Sequence, residues 1–120
     1  MSEISDLIEQ YIKEGFPLLK YDTERYVPYR GQTLLFDFVI ADLNVYIEVQ
    51  GKQHYERIPF FHSLAGYRGQ KYRDQLKTAW CAENNIILVV FSYKEIEKGL
   101  TLLEFRNTIL KAVQNYNDGY

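Results

Sequence analysis

The sequence predicts an α/β fold, in which a mixed sheet begins as an antiparallel meander and is flanked by helices. Two short apolar runs, residues 34–40 and 45–49, are separated by a polar link of hairpin length. A third apolar run, residues 86–91, follows a segment with helical spacing, as expected for a crossover between strands. A chain of 120 residues is long enough for one core and too short for two, so residues 1–120 are predicted to form a single domain.

The first part of the chain is predicted to supply a helix and an edge strand. Residues 4–14 show the three- and four-residue apolar spacing of a helix, and Gly15 and Pro17 follow to end it. Residues 26–29 are predicted to form a short strand. Pro28 lacks a backbone N–H, so it confines that strand to an edge of the sheet.

Two further strands complete the predicted meander, with a turn at residues 30–32 and a link at residues 41–44. Side chains alternate between the two faces of a strand. On the first strand, one predicted face carries Leu34, Phe36, Phe38 and Ile40, and the other carries Leu35, Asp37 and Val39. On the second strand, one predicted face carries Val45, Ile47 and Val49, and the other carries Tyr46, Glu48 and Gln50. Glu48 and Gln50 are therefore expected to emerge side by side.

The next segment is predicted to be a loop followed by a helix. Residues 58–69 combine Pro, Gly and adjacent aromatic residues without a clear period, which predicts a mobile loop. Residues 70–84 are predicted to be helical, with a buried stripe that includes Tyr72 and Leu76. In this helix Lys77 follows Asp74 by three residues, a spacing that allows an ion pair.

The last segment is predicted to be a strand followed by a helix. Residues 86–93 form a continuous apolar run, which is typical of a central strand covered on both faces. Thr101 and Glu104 have the spacing of a capping box, which predicts that the last helix begins there and ends near Asn115. The predicted order is helix, three strands, helix, strand, helix.

The composition excludes several classes of protein. Hydrophobic residues at 47% and charged residues at 25% are globular values, which argue against a disordered or fibrous chain. A single Cys excludes an internal disulfide and fits a reducing cytoplasm. No apolar run approaches the roughly 20 residues that a membrane span needs. We therefore expect a cytoplasmic protein that has no membrane partner.

The charge is unevenly distributed along the chain. The net charge is −2, yet residues 52–77 contain six basic and two acidic side chains, which leaves −6 for the remainder. The basic residues of this segment include Lys52, Arg68, Lys71, Arg73 and Lys77. A basic segment directly after two acids suits the phosphate backbone of a nucleic acid. A solvated charged helix is an equally good explanation of the charge alone.

Asp37 and Glu48 interrupt otherwise apolar strands. A carboxylate with little access to water is unfavourable without a partner or a metal, and two neighbouring carboxylates repel unless a cation lies between them. Mg²⁺ suits such a pair because it prefers oxygen ligands and is commonly held by one or two carboxylates. The alternative is structural: Asp37 pairs with an Arg or caps a turn, and Glu48 is a solvent-facing residue of an edge strand.

The order and spacing of these residues resemble the PD-(D/E)xK nuclease superfamily. The resemblance rests on Asp37 in one strand and on Glu48-Val49-Gln50 in the next, with a short hairpin between them. The segment also contains Gly51 and Gln53-His54-Tyr55 in the spacing of very-short-patch-repair endonucleases and the phage homing endonucleases related to them. The later Tyr72-Arg73-Asp74 with Lys77, followed by Asn84-Asn85-Ile86, is similar to the same branch and extends the resemblance over most of the chain.

The resemblance implies a restriction-endonuclease-like core and a metal-dependent DNA endonuclease in a bacterial or phage-infected cell. Asp37, Glu48 and the carbonyl of Val49 are then expected to bind Mg²⁺ or Mn²⁺. Gln50 is expected to orient the attacking water, and His54, whose imidazole titrates near neutral pH, to transfer a proton. The DNA phosphates are expected to contact Lys52, Arg68, Lys71, Arg73 and Lys77. The products would be a 5′-phosphate and a 3′-hydroxyl, and a homodimer would cut both strands.

The chain departs from the family pattern at three positions. Gln50 stands where the family usually has Lys, and a neutral amide orients water without supplying positive charge. Arg68, Lys71, Arg73 or Lys77 would then supply that charge. Phe36 replaces the family's Pro. The acid that the first helix often contributes aligns with Ser5, next to Asp6 and one turn before Glu9.

These departures keep two other functions open. The first is a nuclease-like domain that binds nucleic acid or a protein without cutting, which Gln50 and the acidic net charge favour. The second is a protein-interaction module that uses its eleven tyrosines, because Tyr suits wet interfaces. A lone His on a loop, such as His54, is also commonly no more than solvent-exposed.

Overall fold

The protein is described from a computed structural model that covers residues 3–51 and 64–119, without the side chains of residues 64–67. Eight α-helices and β-strands follow one another in these residues, with a 3-10 helix at Ala41–Leu43 between the second and third strands. They are α1 (Glu3–Gly15), β1 (Asp22–Tyr29), β2 (Gln32–Ile40), β3 (Val45–Gln50), α2 (Leu64–Glu83), β4 (Ile87–Ser92), α3 (Tyr93–Glu97) and α4 (Leu102–Asn117). The predicted α/β class is confirmed, and the short helix α3 is an element that the sequence reasoning missed.

The sheet has four strands in the order β1-β2-β3-β4. The first three strands are antiparallel, and β4 pairs in parallel with β3, so both the meander and the crossover are confirmed. The prediction of a central strand at residues 86–93 is wrong, because β4 lies at an edge of the described sheet. Only one of its faces is fully covered: Ile87, Val89 and Phe91 are buried, whereas Val90 is 38% exposed.

Each face of the sheet packs against helices. On one face, α1 and α4 contribute Ile8, Ile12, Phe105 and Ile109 to a core with β3 and β4. On the other face, α2 packs through Leu76 and the neighbouring Trp80 and Cys81. The predicted apolar stripe of the first helix is confirmed, because Ile8 and Ile12 are almost completely buried. None of the helices in the described residues is long and apolar enough to cross a membrane.

The hairpin of β1 and β2 is longer than predicted. β1 begins at Asp22, four residues before the predicted start, and it lies at an edge of the sheet as Pro28 required. The two central residues of the turn, Arg30 and Gly31, have φ values of 48° and 75°. Two successive positive φ values give the tight turn whose twist matches that of the flanking strands.

The alternation of side chains along β2 changes at Asp37, so the predicted face is wrong in part. That prediction put four apolar residues on one face: Leu34, Phe36, Phe38 and Ile40. The first two pack with the α2 side of the sheet and the last two with the α1 and α4 side. The change falls where β2 separates from β3, whose pairing begins at Phe38 opposite Ile47. In β1, Glu24 has a φ of 54° at the same level, a local distortion that a period of two does not anticipate.

The second helix, α2, begins six residues earlier than predicted. Residues 64–69, which were predicted to be part of a mobile loop, form its first turns, and residues 58–63 lie outside the described part of the chain. Leu76 is buried as predicted, but Tyr72 is 50% exposed. The residues through which α2 packs on the sheet begin at Leu76, one turn after Tyr72.

The last helix starts at the predicted cap. The Thr101 Oγ1 accepts a hydrogen bond from the Glu104 N–H at 3.1 Å, and the Glu104 carboxylate accepts one from the Thr101 N–H at 3.0 Å. The helix extends to Asn117, two residues beyond the predicted end. Phe105 and Ile109 form its buried face.

Candidate functional site

A cleft opens where β2 and β3 separate, beside the start of α1 and one side of α2. Its volume is about 690 Å³. Its walls come from five elements and the residue after β3. The described residues that line it are Glu3, Ile4, Ser5, Thr33, Leu35, Asp37, Glu48, Val49, Gly51, Gln70, Arg73, Asp74, Lys77, Tyr93 and Glu97. Both acids that the sequence singled out, Asp37 and Glu48, therefore face one cavity.

Asp37 and Glu48 are joined by crossed hydrogen bonds between their strands. The Val49 N–H donates to the Asp37 Oδ2 at 2.7 Å, and the Asp37 N–H donates to the Glu48 Oε1 at 3.3 Å. These bonds replace backbone pairing, because the β2–β3 ladder begins only at Phe38. The separation of the strands thus lets each carboxylate bond the backbone of the opposite strand, which fixes the two acids relative to each other.

Glu48 is the buried charged side chain in the described part of the protein, with 4% of its surface exposed. Its second oxygen, Oε2, accepts a hydrogen bond from the Lys77 Nζ at 2.8 Å. Burial raises the pKa of Glu48 from 4.5 to about 7, and the charge of Asp37 adds to that rise while Lys77 opposes it. A carboxyl whose pKa lies near neutrality in a cleft is typical of functional sites, although structural ion pairs also perturb pKa values.

Lys77 reaches Glu48 from α2. Its side chain is 13% exposed, and its Nζ lies 5.8 Å from the centre of the Phe36 ring, within the range of a cation–π contact. The sequence placed Lys77 within reach of Asp74 and allowed it to supply the charge that Gln50 lacks, but it did not predict the bond to Glu48. That bond depends on how α2 packs across the sheet, and the spacing within a helix gives no information on it.

One side of α2 presents polar residues to the cleft. Gln70, Arg73, Asp74 and Lys77 stand at positions i, i+3, i+4 and i+7, the spacing at which a helix normally presents apolar residues to a sheet. The Oε1 of Gln70 is buried and has no hydrogen-bond partner among the described residues. Sequence reasoning missed Gln70 as a site residue, although a polar stripe at helical spacing was a signal that could have found it.

The acid that the first helix brings to the cleft is Glu3. Ser5, the position that aligns with the family's acid, also lines the cleft. Asp6 is exposed and does not line it. Glu9 accepts a hydrogen bond from the Tyr21 hydroxyl at 2.7 Å. Burial, together with this bond, raises the pKa of Tyr21 to about 12. Glu3 is the first residue of α1, and the apolar spacing of a helix gives little information about its first residue.

Other predicted site residues lie elsewhere. Gln50 is half-buried at the end of β3, paired with Ser92 of β4, and is not among the described residues that line the cleft. Arg68 is exposed and Lys71 half-buried on α2, and neither lines the cleft. Arg73 and Lys77 do line it. The remaining two predicted site residues, Lys52 and His54, lie outside the described residues.

The donor atoms near Asp37 fit a magnesium-like cation in part. Within residues 3–51 and 64–119, no three His, Cys, Asp or Glu side chains are placed to hold a metal ion. Asp37 and Glu48 supply two carboxylates. The N–H and C=O of one residue in an extended strand point to the same side, so the Val49 carbonyl faces the side of Asp37 that its N–H already bonds. Two carboxylates and a carbonyl suit Mg²⁺, which keeps several waters or takes substrate phosphates, and do not make a closed protein cage.

The chain is similar to two proteins of invertebrate iridescent viruses. It is 42% identical over 61 residues to uncharacterized protein 307L of Invertebrate iridescent virus 6, a match that covers 50% of this chain and 31% of that protein. It is 36% identical over 67 residues to uncharacterized protein 033L of Invertebrate iridescent virus 3, which covers 55% and 34% respectively. The chain thus spans about a third of the length of these relatives. No family model matches the chain, and no solved structure matches it.

Proposed function

We propose that the chain is a metal-dependent DNA endonuclease with a restriction-endonuclease-like core. The proposal depends on one observation. Asp37 and Glu48 each accept a hydrogen bond from the backbone of the other's strand, in a cleft that Lys77 also lines. A fixed acidic pair beside a cationic group suits a metal-dependent nuclease, because such an enzyme must hold a metal and an anionic phosphate together. The αβββαβ order that surrounds the pair supports the same reading.

Asp37, Glu48 and the Val49 carbonyl would hold Mg²⁺ or Mn²⁺. A divalent cation in this position supplies Lewis-acid polarisation of the scissile phosphate and lowers the pKa of a water. The rest of the chemistry belongs to the chain. Gln50, at the end of β3, would orient the attacking water, and His54 would transfer a proton to or from an oxygen.

The cationic residues of α2 would bind the phosphates of the substrate. Arg73 is exposed at the wall of the cleft, so its guanidinium is available to a phosphate. Lys77 would provide the positive charge that Gln50 lacks, since it lies inside the cleft. Arg68, Lys71 and Lys52 would extend the contacts to more distant phosphates. DNA as the partner, and a homodimer that cuts both strands, belong to this proposal.

The test is cleavage of a supercoiled plasmid and of a branched oligonucleotide, each with Mg²⁺, with Mn²⁺ or with EDTA. We expect cleavage that needs the metal and falls at least about a hundredfold in Asp37→Asn and in Glu48→Gln. Asp42→Asn is the matched control, because Asp42 is an exposed acid in the turn that follows β2. Full activity in either cleft variant, or equal loss in the control, would disprove the proposed site.

A domain that binds nucleic acid without cutting is the second candidate. It is favoured by the Lys77–Glu48 pair, because the ammonium already neutralises the buried carboxylate without a metal. This candidate predicts that Mg²⁺ produces no heat of binding and no rise in unfolding temperature, while salt-sensitive DNA binding remains. Calorimetric titration with MgCl₂ in the absence of DNA separates the two functions.

A further inference from the structure

Lys77 and the proposed metal would both bind the carboxylate of Glu48, and they cannot do so at the same time. Its Nζ lies 2.8 Å from the Glu48 Oε2, an oxygen that the proposed metal site requires. A divalent cation beside Glu48 would also repel an ammonium at this distance, because like charges a few ångströms apart disfavour each other, and more strongly beside a buried carboxylate. The pair and the metal therefore compete for one carboxylate.

Only one member of the Lys77–Glu48 ion pair is buried. The Lys77 side chain lines an open cleft and keeps 13% of its surface exposed, whereas Glu48 is buried. Lysine carries a compact charge on a flexible four-carbon stem with three rotatable donors, so it can change partners without a movement of the helix. Arg73, one turn earlier on α2, lines the same cleft and is exposed to solvent.

We infer that Lys77 is an exchangeable counter-ion: it neutralises Glu48 while no metal is bound, and a divalent cation releases it to bind a substrate phosphate. This inference rests on the proposed function. It makes Lys77 a substrate-binding residue only in the metal-loaded protein, so that the metal and DNA bind cooperatively through one side chain. By linkage, DNA must then tighten metal binding by the same factor by which the metal tightens DNA binding.

The first experiment titrates the metal alone, with Mn²⁺ binding to the DNA-free protein followed by calorimetry. We expect Lys77→Met to bind Mn²⁺ about tenfold more tightly than the wild type or more, because the competitor is gone. Lys77→Arg keeps the charge and is expected to stay close to the wild type. Circular dichroism confirms that each variant is folded before titration. Equal Mn²⁺ affinity in Lys77→Met and wild type would overturn the inference.

The second experiment measures DNA affinity by fluorescence anisotropy of a labelled duplex, in EDTA and in Ca²⁺, which shares the oxygen preference of Mg²⁺. In EDTA we expect Lys77→Met and the wild type to bind equally, because Lys77 is committed to Glu48. In Ca²⁺ the wild type should bind more tightly and its log–log salt dependence should be steeper by about one unit. Arg73→Gln is the control. Arg73 forms no ion pair with another residue in the described part of the chain, so its loss should weaken DNA binding under both conditions.

The outcomes separate this inference from the proposed nuclease. If Lys77→Met weakens DNA binding equally in EDTA and Ca²⁺, Lys77 is a permanent phosphate ligand and the inference is wrong. If Mn²⁺ binds neither wild type nor Lys77→Met, both the metal site and the exchange are wrong. If the exchange is observed but no substrate is cut, the inference stands and the endonuclease activity fails.

Discussion

Protonation of Glu48 gives a prediction whose size follows from the structure. The pKa of Glu48 is raised from 4.5 to about 7, mainly by burial, and this corresponds to about 3 kcal/mol of proton-linked free energy. The folded protein binds this proton more tightly than the unfolded chain does. The stabilisation is therefore fully present below a pH of about 4.5 and is lost as the pH rises to about 7.

The perturbation that isolates this contribution is Glu48→Gln, which removes the titrating group and keeps the shape. We expect the wild type to lose about 3 kcal/mol of unfolding free energy relative to Glu48→Gln between pH 4.5 and 7.5. Urea unfolding in EDTA, followed by the fluorescence of the single Trp, measures the difference at several pH values. Trp80 packs against Phe36 and Tyr46, so its emission reports the α2 side of the core.

A difference between the two proteins that stays constant across the pH range would contradict the expected titration of Glu48. Glu48→Gln also replaces the carboxyl that accepts a hydrogen bond from Lys77 with an amide, and this change of contact shifts the stability without titrating. Such an offset leaves the difference constant, whereas titration of Glu48 makes it vary with pH. Parallel profiles would mean that Glu48 is ionised in the folded protein across this range, as it would be if its charge were fully compensated by Lys77.

Three further predictions concern single side chains. Lys77→Met should destabilise the protein by about 3 kcal/mol or more at pH 8 and by clearly less at pH 5.5, where Glu48 accepts a proton; urea unfolding at both pH values measures this, and equal losses would contradict it. Gln70→Leu should raise the unfolding temperature by roughly 3–6 °C, because it removes a buried acceptor that has no partner in the described residues; calorimetry that shows a fall would mean the amide is satisfied. Thr101→Ala should cost about 1 kcal/mol of unfolding free energy through the lost cap of α4, measured by urea unfolding. Thr23→Ala is the control, because Thr23 is exposed on β1.

Local patterns in the sequence predicted most of the fold correctly. The faces of β3 follow from a period of two, and Tyr46 and Glu48 share one face as predicted. That this face lies on the side of α2 is a finding of the structure. The capping box at Thr101 follows from the residue types alone. These features are determined by neighbours in sequence, so a single sequence contains the information that specifies them.

The parts that could not be predicted depend on contacts between distant segments. The change of face at Asp37 lies where β2 and β3 separate, and a prediction based on strict alternation of side chains cannot show it. The Lys77–Glu48 bond joins residues 29 positions apart, so neither residue's neighbours indicate it. Glu3 reaches the cleft because α1 packs on α4 and the sheet. The apolar stripe of α1 predicts that one face of the helix is buried, but not which elements cover that face. The sequence indicated Asp37 and Glu48 because they interrupt apolar strands. It did not indicate the residues that contact them.

The energetic character of the cleft argues that it was selected for a function. An apolar pair of similar volume in place of a buried ion pair is commonly neutral or stabilising, so the Glu48–Lys77 pair brings little net stability. The Oε1 of Gln70 adds a second unfavourable feature, because it is a buried acceptor that has no partner within residues 3–51 and 64–119. Both features line the same cleft, while the two apolar clusters elsewhere in the described chain follow ordinary core composition. Departures from local rules that gather in one place are expected at functional sites, and here they surround the two carboxylates.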